Sequence, residues 1–200
     1  MLGKTYEGQE CALASALEVV GERWTLLVVR DAFYGVQRFS DFVDHLDIPR
    51  AVLSDRLRNL VAAGVLDRIG DPDHAGRSLY RLTPMGHELW PTVHALARWG
   101  SRLRPNGSPR RRFVHATCDN ELDDHASCPR CELTPPPSDI VMEWVPSSTP
   151  LLPTDLISVA LTEPHRLLEP IGPARSTTPA LSSASPVPPA DVTDTEFDRC

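Results

Sequence analysis

A short helical pattern, a turn at Asp47-Ile48-Pro49 and an arginine-bearing amphipathic helix, followed at once by two short strand patterns around a polar loop, predict a mainly α-helical fold with a small β-hairpin. In that order, over residues 38–86, they are the plan of a winged helix-turn-helix, in which one helix lies in the DNA major groove and the strand loop reaches the flanking backbone. Two appendages complete the predicted architecture: a short Cys-rich segment and a disordered Pro-rich tail.

Leu13, Leu17, Val20 and Trp24 recur at the spacing of one helix face, interrupted by Gly21, where a first helix is expected to end. Trp24 to Val29 is apolar on nearly every side. With Arg30-Asp31-Ala32-Phe33 continuing it, the run reads as a central buried helix, a strand being the alternative for so short a stretch. Phe42, Val43 and Leu46 place a third helix over residues 39–46, with Ser40 as its N-cap. Pro49 opens a fourth, where its missing N–H costs nothing, and Gly64 stops it near Ala63. Its inward face is Leu53, Leu57, Leu60 and Val61. Residues 65–69 and 78–82 form the hairpin strands around a loop of turn formers. Thr83 caps and Pro84 opens a last helix of about five turns, marked by Met85, Leu89, Val93, Leu96, Ala97, Gly100 and Leu103. With Trp90 and Trp99 it carries more apolar surface than a domain of this size needs, so part of it is expected against a second subunit.

The charge is divided unevenly. Residues 1–112 hold sixteen basic and thirteen acidic side chains, residues 113–200 four and fourteen, so a net −7 chain has a basic N-terminal part. The overall acidity therefore says little against nucleic acid, because binding depends on a face and not on a total. Glu7, Glu10 and Glu18 lie where a secretory signal would be apolar, and no stretch approaches the ~20 apolar residues of a membrane span. A cytoplasmic protein without a membrane partner is expected. The domain reading is a DNA-binding domain over 1–104, a basic linker over 105–112, a Cys/His segment over 113–133 and an acidic tail over 134–200. That tail holds thirteen of the twenty prolines and is expected to be largely disordered, with a short helix or two between Leu151 and Leu168.

The outward face of the fourth helix is Arg50, Ala51, Ser54, Asp55, Arg58 and Asn59. Arginine grips guanine O6 and N7 in a fork, asparagine does the same for adenine, and a serine hydroxyl serves base or phosphate. Asp55 would repel phosphate unless it accepts from cytosine or pairs with an arginine. Arg56 lies toward the packed flank, to hold a phosphate or to pair within the domain. Ser40 and, at the hairpin tip, His74 and Arg77 complete the candidate DNA contacts; the competing reading of all of them is a solvated surface.

Residues 11–103 resemble the HxlR-type winged helix-turn-helix regulators. The resemblance rests on Cys11, Gly21-Glu22-Arg23-Trp24-Thr25-Leu26-Leu27, Arg38-Phe39-Ser40-Asp41-Phe42, Leu53-Ser54-Asp55-Arg56-Leu57-Arg58-Asn59-Leu60, Gly64-Val65-Leu66 and Tyr80-Arg81-Leu82-Thr83-Pro84-Met85-Gly86. It implies a homodimer on a roughly palindromic stretch of double-stranded DNA, with the first and last helices in the dimer contact. It also implies a thiol sensor of oxidants or electrophiles at Cys11, against the alternative of a small hydrophobe at the dimer seam. Two positions depart from the family pattern: Asp55 stands where an uncharged polar residue is usual, and Ala12 where proline is common.

His115, Cys118, Cys128 and Cys131 have the donor types and close spacing of a tetrahedral zinc site, with His125 as a substitute for His115. The other reading is a reduced or disulfide-linked loop. No Gly-rich phosphate loop, nucleophile elbow or HExxH occurs, so an enzyme is not expected. The expected function is a dimeric repressor released by a small-molecule or oxidant effector, the alternative a zinc-containing interaction module that uses the winged-helix fold for assembly.

Overall fold

The computed structural model describes residues 6, 8–103, 111–145 and 155–171. Four helices come first: α1 Ala12–Val20, α2 Thr25–Phe33, α3 Phe39–Leu46 and α4 Arg50–Ala62. The hairpin follows, β1 Leu66–Gly70 antiparallel to β2 Ser78–Leu82, with Leu66 opposite Leu82 and Gly70 opposite Ser78. The winged helix-turn-helix is therefore present as expected. Its turn is made by Asp47 in the left-handed region, Ile48 buried in the core and Pro49 as the N-cap of α4, one residue before the predicted helical position. Leu53, Leu57 and Leu60 are buried, Val61 is half-buried, and Gly64 at φ +72° ends the helix.

Three local expectations change. Ser40 is not the cap of α3: the N–H groups of Asp41 and Phe42 already donate to the Arg38 carbonyl, so Arg38 is the cap. The predicted five-turn helix is two pieces, α5 Pro84–His87 and α6 Trp90–Ser101, because Pro91 has no N–H for the His87 carbonyl and its ring crowds that group. Thr83 caps α5 as expected, its hydroxyl accepting from the Gly86 N–H at 3.0 Å. Trp90, finally, faces its own chain. It is 1% exposed, its ring set edge-on to Phe33 at 5.2 Å and to Phe113 at 4.9 Å.

Phe113 belongs to a second sheet, β3 Arg111–His115, β4 Asn120–Glu121, β5 Ile140–Trp144 and β6 His165–Arg166, ordered β4-β3-β5-β6 and antiparallel throughout. This moves the predicted boundaries. Arg111 and Arg112 leave the linker for β3, the Cys/His segment is not a separate unit, and within the tail residues 134–145 and 155–171 carry fixed structure, including helix α7 Leu156–Ala160. The reason is local. Ile140, Met142, Ile157, Leu161 and Leu167 are buried in one core with Phe33 and Trp90, so a few well-placed apolar residues use a surface already built by the helices. Average composition hides such placement. The expectation for residues 172–200 lies outside the described residues.

The last described stretch lies across the reading domain as a strap. Leu168 N–H donates to Phe33 O at 2.7 Å and Ile171 N–H to Gly35 O at 3.1 Å. The Asp155 carboxylate caps α7 through the Ser158 N–H at 2.8 Å and meets His45 Nδ1 of α3 at 3.2 Å. Gly35 is required where the strap passes: it has φ +87°, and a Cβ there would sit 1.7 Å from the Glu169 carbonyl oxygen. Gly35→Ala is therefore expected to destabilise the fold by more than about 1 kcal/mol, read as a lower urea midpoint, whereas Gly70→Ala, with open space around its Cβ, is expected to change it little.

Candidate nucleic-acid interface and metal centre

Burial of the α4 leucines turns Arg50, Ser54, Asp55, Arg58 and Asn59 outward as a contiguous exposed face. Arg58 Nη1 lies 2.9 Å from Asp55 Oδ1, so the awkward acid is paired with the arginine one turn on. Both are largely exposed, and such a pair is worth about 0–1 kcal/mol, little enough to be exchanged for a phosphate or a base. Arg56 sits apart, half-buried on the flank, where Nη2 meets Glu22 at 3.0 Å and Nε donates to the Arg23 carbonyl at 3.2 Å. The structure gives it the job of fastening α4 to the turn before α2. Ser40 is exposed on α3, its hydroxyl donating to Asp41 at 3.0 Å.

The wing is organised by Asp71, which the sequence reading did not single out. Its buried carboxylate accepts from the Asp73 N–H at 2.9 Å, from Arg38 Nε at 3.2 Å and lies 3.3 Å from His74 Nδ1. Gly76 at φ +80° completes the bend and leaves His74 and Arg77 exposed at the tip. Only its place in a loop of turn formers signalled Asp71; that the carboxylate would be buried depends on Arg38, thirty-three residues away.

The metal-ligand set comes together. The donor atoms of His115, Cys118, Cys128 and Cys131 all lie within 4.8 Å of one another. Cys118 Sγ is 3.5 Å from Cys128 Sγ, 3.6 Å from Cys131 Sγ and 3.4 Å from His115 Nδ1. A tetrahedron with metal–sulfur bonds of ~2.3 Å has edges of about 3.8 Å, so these separations are close to those around a single ion. They are too long for a disulfide. His125 is exposed and outside the set. His115 Nε2–H donates to Asp139 Oδ2 at 3.0 Å, which turns Nδ1 toward the sulfurs, and Asp139 also accepts from Thr117 at 2.9 Å. Burial pushes the Cys128 thiol up, but the Cys131 N–H, His115, Cys118 and the Arg130 N–H together hold it down to about 6. Cys131, its thiol hydrogen-bonded to Cys118, is pushed up to about 11. Asp139 had no signal in the cysteine spacing; it arrives on the turn before β5.

Cys11 is the N-cap of α1 and exposed, beside exposed Leu13 and Leu17 on the same helix. Leu96, Leu103 and Trp99, the last 57% exposed, form the corresponding apolar surface at α6. No helix among the described residues is long and apolar enough to cross a membrane.

Residues 19–108 match the family model of the HxlR-like helix-turn-helix. An uncharacterized HTH-type transcriptional regulator of Mycobacterium tuberculosis strain H37Rv is 42% identical over 132 residues, covering 65% of this chain and 82% of its own length. One of Synechocystis is 30% identical over 95 residues, 47% of this chain and 70% of its own. Among solved structures, the redox regulator HypR in its oxidized form is 28% identical with a TM-score of 0.44, over 47% of this chain and 98% of that one.

The wing supplies a pH prediction. Burial raises the Asp71 carboxyl, but the Asp73 N–H, Arg38 and His74 outweigh it and hold the group below the usual carboxylate range. The unfolded chain thus binds this proton first, so the contribution is complete above an unfolded value of about 3.9 and lost as pH falls through the lower folded one. The hydrogen-exchange protection of the Asp71, Asp73, His74 and Arg77 amides, taken relative to an unstructured chain at the same pH, is expected to hold at pH 5 and to fall below about pH 4, and Asp71→Asn is expected to remove it already at pH 7.

Proposed function

The chain belongs to the HxlR-like helix-turn-helix family, and from that premise we propose that it is a transcriptional repressor that binds a roughly palindromic duplex as a homodimer. The observation that carries this reading is the exposed guanidinium, amide and hydroxyl face of α4, held outward by three buried leucines. Arg58 and Asn59 read base edges, Arg50 and Ser54 serve base or phosphate, and Ser40, His74 and Arg77 contact the backbone on either side. Arg56 positions α4 and makes no base contact. The exposed apolar residues of α1 and α6 support pairing with a second copy, which places two reading helices on one duplex. Release follows binding of an effector or modification of Cys11, the exposed thiol on the α1 part of that surface.

The experiment begins with genomic fragments recovered on the purified full-length protein. For a recovered site, contacts to ~6–10 phosphates predict an affinity loss of ~10³–10⁵ between 50 and 200 mM salt. Arg58→Ala is expected to weaken binding by ~1–3 kcal/mol and to relax the sequence preference, while Asp55→Asn, which frees Arg58, tightens it. A flat salt response with no preferred site would favour the alternative, a module that uses the fold for protein assembly.

The Cys118, Cys128, Cys131 and His115 donors fit zinc, and we assign them a structural ion that ties the turns of the second sheet together. When bound, the ion supplies cross-linking and folding free energy, with Asp139 orienting the histidine. Protein purified without added metal is expected to carry one zinc per chain; Asp139→Ala lowers zinc affinity by about 10–100-fold, and Cys128→Ser abolishes retention. Metal-free protein with an unchanged melting temperature would overturn the assignment.

A further inference from the structure

Beside the wing lies a cavity of about 600 Å³ that is separate from the outward face of α4 and from the Cys/His cluster and shares only His74 with the proposed DNA contacts. Its size is that of a small-molecule site. Three stretches distant in sequence wall it: the start of α3 with Arg38, the wing with Leu79 and Arg81, and the strap with Ala160, His165 and Ile171.

The charges in it are unequally committed. Arg38 is held by Asp71 at 3.2 Å and approaches Asp73 at 3.9 Å. His74 leans on Asp71, His165 Nε2 on the Glu169 carbonyl at 3.1 Å, and Asp41 accepts from Ser40. Arg81 meets only the neutral Gln37 side chain, at 3.3 Å, and has no carboxylate in ion-pair range among the described residues. A guanidinium whose fork lacks an acid, next to an apolar wall of Leu79, Ala160, Pro170 and Ile171, is complementary to a carboxylate carried on a compact hydrocarbon body.

We propose that this cavity binds a small organic carboxylate, its anionic end on Arg81 and its apolar body between Leu79 and Ile171, as the effector that governs DNA binding. The control it exerts rests on the regulator reading above. Both walls are laced to one segment: the Tyr80 N–H donates to Gln37 O at 2.9 Å on the wing side, and the strap bonds Phe33 and Gly35 on the other. That segment leads directly into α3. An occupant wedged between wing and strap therefore bears on the spacing of the wing from the helix pair, which is the geometry a duplex must match. A phosphodiester would leave the apolar wall without a partner, which favours an organic anion over the DNA backbone as occupant.

The test is calorimetric titration of the full-length protein without DNA, using benzoate, octanoate, the matching amides benzamide and octanamide, and inorganic phosphate. At least one carboxylate is expected to bind once per chain, its amide and phosphate not. Arg81→Gln is expected to weaken that binding at least about tenfold, and Ala160→Trp, which fills the cavity from α7, to abolish it. With the recovered duplex present, the carboxylate is expected to lower DNA affinity by about 5–150-fold, and the duplex to lower carboxylate affinity by the same factor. Binding of neither carboxylate, phosphate binding as tight as carboxylate binding, or carboxylate binding unchanged in both variants would overturn the site. Carboxylate binding without coupling to the duplex would overturn the effector role. Should no duplex be bound under any condition, the regulator reading fails while the DNA-free titration still decides the site.

Discussion

The outward polar face of α4 depends on the burial of Leu53, Leu57 and Leu60 against α2, α3 and β1. Removing such side chains from water stabilises each by about 1.5–3 kcal/mol, far more than any exposed pair on the other side of the helix contributes. The apolar face therefore decides the rotation of α4, and the polar face follows. Arg56, midway between the two, is drawn to Glu22 and the Arg23 carbonyl and adds a polar fastening to the apolar one.

The second constraint is the aromatic junction of Phe33, Trp90 and Phe113. It joins α2 and α6 to the four-stranded sheet through a shared core, so the Cys/His cluster, the strap and α7 belong to the body that presents α4. The strap adds directional ties at Phe33, Gly35 and His45. A change in the C-terminal part is in this way connected by packed side chains and backbone hydrogen bonds to the start of α3, whereas a tail without fixed structure would carry no such change.

The reading domain was legible in the sequence because its signals are local: helical spacing of leucines, a proline at a helix start, a glycine past its end, turn formers between strands. The fourfold Cys/His set was legible for the same reason, since its members stand in two closely spaced pairs, and the fold brings their donor atoms within 4.8 Å of one another. What escaped were long-range facts. Nothing near Trp90 says that Phe113 will cover it, so it reads as surplus apolar surface. Asp71 and Asp139 act on partners more than twenty residues away. Composition averaged over residues 134–200 masks the few apolar side chains that dock on a ready-made surface. Pro91 was the one local signal left unread, and it divides the last helix.

The central claim is that two copies of the α4 face enter successive major grooves of one duplex. Dimethyl sulfate footprinting on a recovered genomic site tests it most directly, because the reagent methylates guanine N7, the atom an inserted arginine covers. The account predicts two protected guanine clusters about 10 base pairs apart or a multiple of that, both lost with Arg58→Ala. Guanine N7 reactivity unchanged across a site that is nevertheless bound would contradict it, since the reading helix would then lie outside the groove.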